Sequence, residues 1–325
     1  MRAAVRQFFD RNGVGLGLFM LLGVTFWILV LIVLPQLTMV DFSFRHNLPP
    51  ARVGGPEDVY TLTNYEYFLR GHPGNPDGYN RVDLGVFQRT LVAAFFVTIM
   101  NFVFCYPFAY YLAQVATGVW ARMLALGLVV PYWINEILRA FAFRVIFGDA
   151  GLINTTLKQL GLIEVSIDFI RADVALYAGL GYAYVLLMIF PLYSAIESLD
   201  RNQIEAARDM GSPWWRIHWR IVMPFAKPGI VSGCTMVFML SAGALAAPQI
   251  LGGPSSLWFT QIIYQGFFEY FNWQRGAAYA IILLVSCMVI VLGLMRLFGV
   301  RMGEIGRCGA GSSCAASPAS ICSCS

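Results

Sequence analysis

The chain has 325 residues, of which 58% are hydrophobic and only 12% charged, with a net charge of +4. Soluble domains carry about 25% charged residues, so this composition excludes an ordinary water-soluble fold and points to a protein whose solvent is lipid. The Lys and Arg residues are dispersed without a long basic run, which excludes a nucleic-acid-binding surface.

A spanning helix needs about 20 apolar residues to cross a hydrocarbon core of about 30 Å. The opening MRAAVRQFF sets Val5, Phe8 and Phe9 against Arg2 and Arg6, which suits either a helix lying on the membrane surface or a frayed end. Val14 to Val40 holds no charge and is the first expected span. It is too long for a cleavable signal and lacks a clear small-residue cleavage site. Segment 41–89 is then a large outer loop. Thr90 to Leu112 forms the second span, and Met123 to Phe147 the third, with Glu136, Arg139 and Arg144 inside it. Val174 to Ile196 is the uncharged fourth. The polar stretch 198–227 follows. A fifth span is expected over Pro228 to Ala247, then a non-spanning outer segment broken by Gly252, Gly253 and Pro254, and a sixth span over Gly276 to Met295. Residues 14–306 thus read as one all-α integral membrane domain of six transmembrane helices, after a short segment 1–13.

The short stretch 198–227 carries Arg201, Arg208, Arg216, Arg220 and Lys227, and basic short loops face the cytoplasm. Both termini and Trp214 are then cytoplasmic, while Pro56 and Gly253 are periplasmic. Cys105, Cys234 and Cys287 lie in apolar runs and read as small packing residues. Cys308, Cys314, Cys322 and Cys324 crowd the low-complexity tail 307–325, whose spacing resembles no zinc site and which is expected to lack ordered structure.

The stretch DRNQIEAARDMGSPWWRIHWRIVMPFAKPG, Asp200 to Gly229, has an internal logic. Asp200 can cap a helix, with Gln203 completing a capping box. Gly211 offers a left-handed stop. Ser212 and Pro213 restart a helix as cap and first residue, and Pro224 and Pro228 end it before the next span. Trp215, Trp219 and Val222 share one face by α-helical spacing, and Arg216 and Arg220 another, as in a helix at headgroup depth. In the first helix, Ala206 and Ala207 allow close approach of another protein, and Glu205, Arg208 and Asp209 can make directed polar contacts. The residues alone leave two readings open, a docking elbow or a solvated helix that merely joins two spans.

In the same register, Glu205-Ala206-Ala207, Gly211, and the later Ile221 and Pro224 resemble the EAA loop of ABC-importer permeases. Further short stretches resemble the spermidine/putrescine branch of that family in order and spacing. They are TLTNYEYF (61–68), YPFAYYLA (106–113), LRAFAF (138–143), GLINTTLKQLG (151–161), PQILGGP (248–254) and NWQRGAA (272–278). The resemblance implies a type I importer permease that works by alternating access. It implies that Glu205, Ala206, Ala207, Arg208, Asp209, Met210, Gly211, Ser212, Pro213 and Pro224 form a coupling helix and its turn, docked on an ATPase subunit. It further implies a second, different permease subunit, two ATP-binding subunits that hold ATP and Mg, and a periplasmic solute-binding protein, in a bacterial inner membrane. Polyamine is the expected solute. Iron, sulfate, phosphonate and amino-acid derivatives stay open.

No G-x-x-x-x-G-K-[ST] loop occurs, and the two lysines, Lys158 and Lys227, lie outside any such pattern. The histidines His46, His72 and His218 are scattered, and no nucleophile–base pair or metal cluster stands out. The chain is therefore expected to be no enzyme and to hold no cofactor itself. An ion-driven secondary transporter or channel is the rival class, though no internal repeat supports it; a membrane scaffold is the third. Glu136, an acid inside a span, is a pathway candidate or the simple partner of Arg139 one turn on. Tyr132, Trp133, Tyr182, Tyr184 and Phe190 can offer aromatic faces to a cation or just pack. Pro107, Pro131, Pro191 and Pro248 mark kinks or flexing points.

Overall fold

The computed structural model describes residues 14–48, 52, 55, 59–71, 78–253 and 256–299. The N-terminal amphipathic stretch, Pro56, Pro254 and the cysteine tail lie outside the described residues. Among the described residues every regular element is a helix, apart from one isolated antiparallel bridge between Arg45 and Tyr60. The helices are α1 Val14–Ile28, α2 Leu34–Phe44, α3 Thr63–Arg70, α4 Arg81–Tyr110, α5 Gly118–Val129, α6 Glu136–Phe147, α7 Leu152–Gln159 and α8 Val174–Glu197. They continue with α9 Arg201–Asp209, α10 Trp214–Ile217, α11 Met223–Ala242, α12 Ala246–Leu251, α13 Phe259–Phe268 and α14 Trp273–Phe298.

Among the described residues, five continuous helices are long and apolar enough to cross a membrane: Gly15–Phe44, Arg81–Val115, Val174–Glu197, Trp214–Ala242 and Trp273–Phe298. The expected third span is not one of them. It is broken into α5, a 3-10 turn over Val130–Trp133, and α6, which starts afresh where the Asn135 side chain accepts a hydrogen bond from the Ile137 N–H at 2.9 Å. Pro131 explains the break, because it has no N–H to give to the helix ladder. Each piece has 12 residues, about 18 Å of rise, too short to cross alone.

Two other boundaries move. The second span begins at Arg81 rather than Thr90, so the outer loop is shorter than 41–89. The fifth begins at Trp214 rather than Pro228, because Pro224 and Pro228 do not end a helix. A π turn over His218–Val222 precedes Pro224, with the Met223 N–H bonded to the His218 carbonyl. The same device recurs in the first span, where a π turn over Leu29–Val33 precedes Pro35. These two wide turns each end two residues before a proline and make room for a ring that lacks a donor.

The chain divides into two compact units, Met1–Leu84 with Ile262–Leu284, and Gly85–Gln261 with Val285–Ser325. In the first, α3 is stapled to the end of α2. Buried Asn64 donates to the carbonyls of Ser43 and Arg45, both at 2.9 Å, and the Tyr65 hydroxyl donates to Ser43 Oγ at 3.0 Å. Tyr279 donates to Asp83 at 2.5 Å and packs edge-on against Phe68, and Arg275 lies 3.6 Å from the centroid of Tyr67.

In the second unit, α8 and α11 form the core. About half of each span is buried, 56% and 50%, against 6% for the first span. Leu176, Leu180, Met188, Leu192 and Ile196 of α8 meet Ala226, Ile230 and Val237 of α11 in one buried cluster. Gly229 and Gly233, four apart, let the backbones approach: a Cβ on Gly229 would lie 2.4 Å from the Ala195 Cβ and 2.5 Å from the Pro191 carbonyl, and one on Gly233 2.9 Å from Met188 Sδ. Small residues at this spacing are how membrane helices pack closely. Around that core, Arg89 pairs with Asp173 at 2.5 Å, buried Asn154 holds Gly148 and Ile167, and Arg144 donates to the Ile250 carbonyl.

Gly229→Ala should therefore lower the thermal transition of the purified protein in detergent, through an overpacking cost of about 1–3 kcal/mol. Gly23→Ala, where an added Cβ meets nothing within 4 Å, should leave it unchanged. Equal transitions for the two variants would refute the close approach.

Candidate functional site

The elbow between α8 and α11 is built from its caps. The Asp200 carboxylate accepts from the Asn202 N–H at 3.0 Å and starts α9. The bond goes to Asn202 and not to Gln203, so the cap is made at the second helical position. At the other end, the Ser212 N–H bonds to the Ala207 carbonyl at 3.1 Å and the Gly211 N–H to the Arg208 carbonyl at 2.8 Å. Together these make a Schellman motif. It requires a left-handed residue, and Gly211 supplies φ +71° in open space. The next helix begins one residue later than its sequence suggests, with Pro213 as its cap and Trp214 as its first residue.

Burial sorts α9 into two faces. Ile204 and Ala207 point inward and join the core cluster with Leu199, Ile217 and Val222. Glu205, Ala206, Arg208, Asp209 and Met210 point outward, Met210 at 80% exposure. The helix is thus fastened by two apolar residues and presents a mixed face of charge, one small side chain and one thioether. Its base is tied down from α4's end: Gln114 donates to the Ile196 carbonyl at 2.8 Å and to that of Leu199 at 3.3 Å.

Trp215 and Trp219 are exposed, as their spacing implies, but Val222 is fully buried. The π turn over His218–Val222 is wider than an α turn and shifts the phase of Val222 away from the two tryptophans. Arg216 and Arg220 are exposed, and the Arg216 guanidinium lies 5.6 Å from the Trp215 ring.

His218, one of three scattered histidines in the sequence, is the hub beneath the elbow. It is buried, shares a 2.9 Å hydrogen bond through Nδ1 with the Tyr106 hydroxyl, and sits 4.4 Å from the Tyr110 ring and 4.2 Å from the Trp214 ring. Its Nε2 is buried without a hydrogen-bond partner. The signal in the sequence is the pair of i, i+4 spacings, Tyr106–Tyr110 and Trp214–His218, which only a fold can bring together.

The aromatic and acidic candidates in and near the broken third span differ in what they touch. Tyr132 and Tyr182 meet at Arg139, whose guanidinium carbon lies 5.3 Å and 6.0 Å from their ring centroids. Tyr184 is buried and donates to the Leu240 carbonyl at 3.2 Å. Trp133 is 86% exposed. Phe190 lines a separate groove of about 210 Å³ between α5 and α8, with Arg122, Leu128 and Tyr193. Glu136 is exposed in the first turn of α6, where an acid suits the helix dipole, and makes no ion pair with Arg139.

Known proteins share this architecture. Residues 25–304 match the family described as the binding-protein-dependent transport system inner membrane component. The spermidine/putrescine transport system permease protein PotB of Escherichia coli K12 is 31% identical over 286 residues, 88% of this chain and 97% of that one. The protein of the same name from Haemophilus influenzae is 29% identical, over 83% and 90% of the two chains. In structure, a chain of a bacterial ABC transporter involved in the import of the acidic polysaccharide alginate matches with a TM-score of 0.63 at 15% identity, over 91% of this chain and 98% of that one. That likeness shows the fold, and the sequence match fixes the lineage. The chain belongs to the inner-membrane components of binding-protein-dependent transport systems and is a permease subunit of an ABC importer.

Proposed function

We propose that this permease imports polyamines of the spermidine/putrescine class, and that α9 with its turn is the surface through which ATP drives it. The observation that carries the coupling role is the capped, outward-facing α9. Glu205, Ala206, Ala207, Arg208, Asp209 and Met210 sit on a short helix whose two ends are fixed, and Gly211, Ser212 and Pro213 set the angle at which α10 leaves it. Such a helix can enter a groove on a partner without reorganising, which lowers the cost of docking. Pro224, within the continuous helix that follows, belongs to the same device. The solute class is supported by relatives of about 30% identity whose names specify spermidine and putrescine. In this reading two separate subunits bind ATP and Mg, a second and different permease completes the pathway, and a periplasmic protein delivers the solute. Both termini face the cytoplasm. Glu136, Tyr132, Trp133, Tyr182, Tyr184 and Phe190 are the side chains proposed to meet the solute.

The importer reconstituted with its ATPase subunits and binding protein should take up labelled spermidine only when ATP is inside the ATPase compartment. Uptake by the permeases without the ATPase subunits would favour a secondary transporter instead.

Gly211→Val should reduce ATP-driven uptake by roughly 5- to 30-fold while membrane insertion stays normal, because a left-handed β-branched residue costs about 1–2 kcal/mol. Gly211→Asn, which tolerates that region, should retain more activity. Wild-type uptake by Gly211→Val would remove the elbow from the mechanism.

Orientation is tested by cysteine labelling after the native cysteines are replaced. Trp214→Cys, at a position 66% exposed, should react with an impermeant reagent only from the cytoplasmic side. Val165→Cys, at a position 78% exposed, should react from the periplasm. Labelling of position 214 in intact cells would reverse the topology.

A further inference from the structure

We propose that Arg139 is a tethered cation, which occupies the faces of Tyr132 and Tyr182 until an ammonium group of the solute displaces it, and so helps to set the charge selectivity of transport. The proposal rests on the polyamine reading above. Three observations lead to it. The guanidinium carbon lies over both rings, at 5.3 Å and 6.0 Å from their centroids. The Nε is buried and has no acceptor. Glu136, three residues earlier on the same helix, is exposed and forms no ion pair with it.

An arginine stays charged at any accessible pH, and a charge without a counter-ion is costly inside a membrane protein. Here the electron-rich ring faces are what the structure provides in place of a carboxylate. Those faces are also what an alkylammonium seeks. Tyr132 and Tyr182 remain 45% and 39% exposed in this subunit, which leaves part of each ring uncovered by the chain itself, and Tyr182 is held at a ring distance of 5.3 Å by Phe143. Two cations cannot rest on one pair of rings, because like charges at contact repel. Arrival of an ammonium group therefore releases the guanidinium. The i, i+3 spacing puts Glu136 within reach of the released side chain. One cation–π contact replaces another, and the displaced guanidinium gains a carboxylate. No charge is left uncompensated during the exchange.

Equilibrium binding of radiolabelled spermidine to the assembled importer, without binding protein or nucleotide, tests this. Arg139→Met and Arg139→Gln should bind spermidine about 2- to 30-fold more tightly than the wild type, the factor that one competing cation–π contact accounts for. Arg139→Lys should stay near the wild type. Adding Tyr132→Leu and Tyr182→Leu to Arg139→Met should abolish the gain, and Glu136→Gln alone should weaken binding by leaving the displaced guanidinium without an acceptor. Co-purification of all subunits reports assembly. Unchanged or weaker binding by the assembled Arg139 variants overturns the proposal. So does failure of both neutral variants to assemble, which would make the guanidinium a structural group. Absence of ATP-driven spermidine uptake by the wild type overturns the polyamine reading itself, and this is seen before any variant is compared.

Discussion

Inside a bilayer no water pushes helices together, so contact between α8 and α11 rests on the fit of their surfaces at Gly229 and Gly233. Everything at the elbow follows from that contact. Ile196, in the last turn of α8, and Leu199, just beyond its end, are buried with the closely packed pair, and Ile204 and Ala207 then find a buried cluster to join. If the two backbones stood farther apart, α9 would have no floor. The elbow's outward face is exposed because its inward face is already committed.

Proline would ordinarily interrupt such a design. Pro191, Pro224 and Pro228 all lie within the core helices. The π turn ahead of Pro224 absorbs the missing donor and changes the phase of the helix, which turns Val222 inward and leaves Trp215 and Trp219 outside. The tryptophans can therefore lie at the interface while the same helix goes on into the core. At Pro131 no wide turn intervenes. A 3-10 turn and a fresh Asn135 cap follow, and the helix is divided. Similar chemistry thus yields continuity in one place and a break in another, depending on the turn around it.

Much of this was legible from residue order. Uncharged runs mark the first, second, fourth and sixth spans, because lipid tolerates little else. Gly211 marks the end of α9 because the turn there needs a left-handed residue. The EAA register singles out the stretch that proves to be an outward-facing elbow. What escaped the reading depends on contacts between distant segments or on local winding. The phase of Val222 depends on a π turn that sequence spacing does not encode. His218 becomes a hub only when Tyr106 and Tyr110 of α4 arrive beside Trp214. Arg139 and Glu136 look like an ion pair by spacing, yet the guanidinium goes to two rings, one of which is 43 residues away in sequence.

The continuity of Trp214–Ala242 has a mechanical consequence. A helix of 29 residues is about 43 Å long, and it runs from the turn below α9 to Ala242 in one piece, long enough to cross a bilayer. If it pivots near one end by about 5°, the other end sweeps through about 4 Å, the width of a methylene chain. A small displacement at the elbow then becomes a large one at the far end of the helix. Leverage replaces distance, and the wide turn at His218–Val222 becomes the point where stiffness, rather than sequence, decides how much of a movement at the elbow reaches the other end.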